Sequence, residues 1–154
     1  MTQPRLLLDL PGGWTPTEEA GGVCFAAKSG CQLFVPFLEP LPVDLAYWSG
    51  QVPEHDFPDG AVAVTVTNRF DRTTALGWKL AISESVVTGS GGLVIEARLH
   101  AVVIMLEHGA IVAAYASSPD ELAAHRDEIL GTLDSVRPDW GHDPSAYLRG
   151  LLEP

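Results

Sequence analysis

Two hydrophobic periods run along the chain and divide it into a sheet-forming body and a helical end. In 61–70, Val62, Val64 and Val66 share one face, and Thr65, Thr67 and Arg69 share the other. That alternation is the pattern of a half-buried strand. Trp78, Leu80 and Ile82 alternate with Lys79, Ala81 and Ser83, which predicts a second strand. Over 93–106 every odd position is apolar, from Leu93 to Met105. The even positions there are Glu96, Arg98 and His100 in the middle and apolar afterwards. A strand apolar on both faces at one end is central in its sheet, or covered there by a second layer. Upstream, 6–10 reads as a short strand, 15–22 as polar loop, and 23–28 with 31–38 as a hairpin. Pro11-Gly12-Gly13 turns the chain ahead of Trp14. Gly89-Ser90-Gly91-Gly92 and His108-Gly109 are further turns, the second leading into a strand over 110–117.

The period then lengthens to that of a helix. Ser118 is its N-cap, Pro119 suits the first helical position, and Glu121 completes a capping box. Leu122, Ile129, Leu133 and Val136 fall on one side, with Leu130 at the margin, so that side packs on the sheet. Arg137-Pro138 stops the helix. A second short helix is expected after Asp143. The stretch 39–60 is irregular, with Pro40, Pro42, Pro53 and Pro58 around Tyr47 and Trp48. Long connections of this kind are usually functional or variable.

Length and charge narrow the picture. At 154 residues the chain suits one domain, 1–154, with 141–154 as a short extension. No internal repeat or linker divides it. Nine Lys and Arg against 20 Asp and Glu give a net charge of −11, which opposes nucleic acid and anionic membranes as partners. The N-terminal three-Leu run is too short for a secretory signal, and no apolar run approaches the roughly 20 residues of a membrane span. A cytoplasmic protein is expected.

Few residues suggest chemistry. Cys24 and Cys31 flank Lys28-Ser29-Gly30. A two-residue loop places Cys24 opposite Val35, and a three-residue loop sends the two thiols to opposite faces. Either way they are too far apart to bridge, so both are read as reduced. Gly89-Ser90-Gly91-Gly92 lies between strands, whereas phosphate loops lead into helices. Neither G-x-S-x-G nor the P-loop pattern occurs, and no H-x-x-x-H pair supports zinc. The run from Glu54 to Gly60 lacks the closing Glu of a calcium loop and reads as an exposed turn. Glu96, Arg98 and His100 are spaced by two on one strand face, with neighbouring Cβ atoms about 6.6 Å apart. Solvated cross-strand pairing is the plain reading, and a ligand or partner contact is the functional one. Trp14, Trp78 and Trp140 read as core caps. Trp48, beside Tyr47, is a candidate anchor for a partner.

The order of elements, Leu8-Asp9-Leu10-Pro11-Gly12-Gly13-Trp14 near the start, and the run from Ile129 to Pro138 ending in Ser135-Val136-Arg137-Pro138 together resemble the PsbP superfamily. That superfamily includes the photosystem II extrinsic subunit PsbP, a Ran-binding nuclear-transport factor, DcrB lipoproteins and the Eag-type chaperones of type VI secretion effectors. The resemblance spans about residues 5 to 140. It implies an α+β fold, an antiparallel sheet of about six strands flanked by helices as an α/β/α sandwich, used mainly as a binding scaffold. A lipobox cysteine is lacking, which favours a cytosolic member.

The expectation is a non-enzymatic binding or chaperone protein, with a secretion-effector chaperone as the narrower form. Its contacts would be Tyr47, Trp48, Glu96, Arg98 and His100, with no catalytic residue, metal or cofactor. An apolar or basic client would lie on the sheet face away from the helix, and a homodimer is the other candidate partnership. The alternatives are a small enzyme or ligand-binding domain using Glu96, Arg98 and His100, and an acidic immunity or inhibitor protein.

Overall fold

The computed structural model describes residues 5–19, 22–27, 30–40, 60–105 and 108–139. The strands are β1 (Arg5–Leu7), β2 (Thr15–Glu19), β3 (Gly22–Ala26), β4 (Cys31–Pro36), β5 (Glu39–Pro40), β6 (Ala61–Thr73), β7 (Lys79–Gly89), β8 (Val94–Met105), β9 (His108–Ala116) and β10 (Arg137–Asp139). Helix α1 spans Pro119–Leu133. The large sheet runs β2-β3-β4-β9-β8-β7-β6, all antiparallel, and β5 pairs with the first residues of β9. A separate ribbon joins β1 to β10.

The sheet is larger than expected, and the helical content smaller. Among the described residues α1 is the one α-helix, and it packs on one face, so the sandwich with helices on both sides is not what this part of the chain forms. The stretch 15–22 is also not loop: Thr15 to Glu19 pair with β3 as an edge strand. Pro16 is tolerated there because an edge strand leaves one row of backbone groups unpaired. The turn into β9 falls earlier than expected, since His108 already pairs with Met105. Residues Tyr47, Trp48, Glu54 to Asp59, Trp140 and the expected helix after Asp143 lie outside the described residues.

The register of β8 and β9 explains how the helix reaches the sheet. The facing pairs Ala97–Ala116, Leu99–Ala114, Ala101–Val112 and Val103–Ala110 each contain an alanine. These small side chains make a low floor, and Leu122, Ile129 and Leu133 of α1 are buried in the core it supports. Ser118 caps the helix as expected, accepting from the Glu121 N–H at 3.2 Å. The Glu121 carboxylate instead takes the hydroxyl of Ser117.

Beyond the floor, charged groups tie α1 to the outer strands. Arg126 donates to Glu84 at 2.6 Å and lies over the Phe70 ring. Arg72 holds Asp134 with two bonds, Nε to Oδ1 at 2.7 Å and Nη2 to Oδ2 at 2.5 Å. Trp14 donates to Glu128 at 3.1 Å, and both Trp14 and Trp78 pack against the core, as expected of core caps. The chain after the helix clasps the start: the Asp9 N–H donates to Ser135 Oγ at 2.7 Å, and Arg137 pairs with Asp9.

The Arg72 hydrogen bonds hold the Asp134 carboxyl below its ordinary value of 3.8, against a smaller opposing effect of desolvation. A lowered folded value stabilises the fold above the ordinary value, and that contribution is lost as pH falls through the folded value. Asp134→Asn is therefore expected to cost about 0.5–1 kcal/mol near neutral pH, as befits a half-exposed pair. Urea unfolding across a pH series checks this. The gap between wild type and variant closes as pH falls below the ordinary value of 3.8 and through the lowered folded value, and a gap that persisted once the carboxyl was protonated would contradict the assignment.

Candidate functional site

Period-two geometry sends even-numbered residues of β8 away from α1. On that far face the register aligns Arg98 with Ser85 of β7 and Tyr115 of β9, and His100 with Ser83 and Ala113. Arg98 Nη2 donates to Glu96 Oε2 at 3.2 Å, and its guanidinium lies 5.5 Å from the centre of the Tyr115 ring. His100 meets the same ring edge-on, at 5.9 Å and 87°. The structure thus brings Glu96, Arg98 and His100 together, as their spacing predicted.

The solvated reading of this cluster does not hold. Arg98 is 2% exposed and His100 4%, and Ser83, Ser85, Ala81, Val102 and Ala113 beside them are buried as well. The alternation of β8 assigned these residues to one face correctly, but spacing carries no information about whether that face is wet. A buried guanidinium needs a partner charge and hydrogen bonds, and Glu96 with the Tyr115 ring supplies part of both. Two of the expected contact residues, Arg98 and His100, are thus buried in the middle of the face away from the helix. An open groove of about 250 Å³ borders the cluster, with Arg69, Asp71, Ala81 and Ser83 of this face in its lining.

The other sequence candidates resolve plainly. Cys24 pairs with Phe34 and Ala27 N–H donates to Cys31 C=O, so the loop has three residues and the thiols lie on opposite faces. No disulfide joins them. Burial, with Glu121 and Glu128 adding to it, pushes the Cys31 thiol up to about 11, which leaves it unreactive near neutral pH. Gly89 to Gly92 form a turn between β7 and β8. Among the described residues no group of three or more His, Cys, Asp or Glu side chains converges to hold a metal.

One surface was missed. Val62 is 69% exposed, Leu93 69% and Val94 37%. Val62 was expected to share a buried face with Val64 and Val66. Instead the register jumps from Ala61–Gly89 to Ala63–Thr88, which leaves Val62 without a cross-strand partner and turns it outward. Leu93 precedes β8 and Val94 pairs with Thr88 past a second irregularity, at the same corner of the sheet. An unpaired strand residue has no signature in an alternating run.

The strand order and the one packed helix among the described residues define the class by geometry. No protein-family model and no curated protein matches the chain. Among solved structures it is similar to the solution structure of cyanobacterial PsbP from Synechocystis sp. PCC 6803, with a TM-score of 0.62 and 15% identity over 89% of this chain and 93% of that one. The fold is therefore PsbP-like.

The burial of Arg98 has a direct consequence. Arg98→Ala removes a desolvated charge and leaves Glu96 uncompensated, so a loss of about 3 kcal/mol or more is expected in denaturant unfolding. A loss under about 0.5 kcal/mol, as for a surface residue, would contradict the burial.

Proposed function

We propose that this chain is a non-enzymatic binding protein that holds a protein segment at the corner formed by Val62, Leu93 and Val94. The observation that supports this is the grouping of three exposed apolar side chains at one end of a PsbP-like sheet. Exposed apolar groups of this kind mark contact surfaces when they cluster. The surrounding chain carries a net charge of −11, so the segment it attracts is apolar with basic flanks. A chaperone holding a secretion effector is the narrower form of this reading. Thiols kept apart on opposite faces suit a reducing, cytoplasmic setting. Tyr47 and Trp48 stay contact candidates on composition alone, and Glu96 is the member of the polar cluster with some solvent access.

The test is affinity capture from the native host with wild type and with Val62→Ser/Leu93→Ser. Both residues are exposed, so the variant should keep its fold, within about 0.5 kcal/mol. A partner bound by the wild type is expected to bind the variant at least tenfold more weakly, roughly 1.4 kcal/mol. Equal recovery by both proteins, or no partner with either, would overturn the proposal.

A further inference from the structure

The longest described strand, β6, is also a sheet edge: among the described residues it pairs with β7 alone. Open edges are normally guarded by short length, proline, lysine or bulges. The opposite edge, β2, has five residues and includes Pro16 and Glu18. By contrast β6 has 13 residues and neither Pro nor Lys. Its guards are two register shifts, at Ala61/Ala63 and Val66/Asn68, both in its first half. From Asn68 to Thr73 the ladder with β7 is unbroken, so the outer row of backbone groups on that run is regular and ready to pair.

The charges on this run select a partner. Arg69 and Asp71 both project from the far face, opposite Ser83 and Ala81, and both are exposed. Neither has an ion-pair partner among the described residues. Arg72, on the other face, is already held by Asp134. We propose that two copies of this chain join edge to edge through Asn68 to Arg72, antiparallel, about a two-fold axis at Phe70. Arg69 of each copy then lies opposite Asp71 of the other, and the two sheets become one.

Charge fixes this register among its neighbours. Moving the axis to Arg69 sets two arginines face to face, and moving it to Asp71 sets two aspartates face to face. The isologous pairing is closed, so it stops at two copies. It also lies on a stretch where acids do not outnumber bases, whereas the chain as a whole repels its own copies at −11. Leu76, exposed at the β6–β7 turn, is carried alongside the first half of the other copy's β6.

Sedimentation velocity on the full chain, up to roughly 100 μM, tests the pairing. Wild type is expected to dimerise. Arg69→Asp and Asp71→Arg each set like charges opposite across the axis, and each should weaken the dimer at least tenfold. The double variant Arg69→Asp/Asp71→Arg restores both pairs and should restore the dimer. Rescue separates a lost interface from a lost fold, and unchanged circular dichroism of the single variants gives a second control. A monomeric wild type, single variants that dimerise as wild type does, or a double variant that fails to recover would each overturn the proposal.

Discussion

The close approach of α1 to the alanine floor of β8 and β9 sets the geometry of the rest. Leucines and isoleucine from the helix meet Ala97, Ala101, Ala110, Ala114 and Ala116 in one core. Once the helix lies there, its edges are within reach of β6 and β7, and Arg126 and Asp134 find Glu84 and Arg72. The chain leaving the helix is then placed to pair β10 with β1. A larger residue on the floor would lift the helix and strain all of these contacts together, because well-packed cores accommodate added volume poorly.

The same central strands are closed on their other side. Val102 and Ala113 are buried there beside Arg98, His100, Ser83 and Ser85. Burying a guanidinium is costly, and its Glu96 and Tyr115 contacts offset that cost while tying β8 to β9. Both proposed contact surfaces, the apolar corner at Val62 and the edge of β6, accordingly lie at the margins of the described sheet, and the PsbP-like fold is the frame that displays them.

Much of this was legible in the residues. The run from Leu93 to Met105 announced a central strand, and Ser118, Pro119 and Glu121 announced the start of the helix. Residues that alternate or cap act locally, so local pattern reports them. The pairing of Leu6 with Pro138 spans nearly the whole chain and has no local signal. The strand at Thr15 to Glu19 was hidden by Pro16 and by acids that an edge tolerates. Val62 looked like its neighbours because an irregularity in pairing depends on the partner strand. Arg98 and His100 looked solvated because polar side chains usually are, and only three-dimensional packing distinguishes a wet face from a closed one.

The central claim is that the middle strands of the sheet are closed to water on both faces, and Arg98 reports on it most directly. Modification of the native protein with an arginine-specific dicarbonyl reagent, followed by peptide mass spectrometry, compares Arg98 with the exposed Arg5 in one sample. The account predicts that Arg5 reacts while Arg98 stays unmodified until the protein is unfolded. Reaction of Arg98 at the rate of Arg5 under native conditions would contradict it.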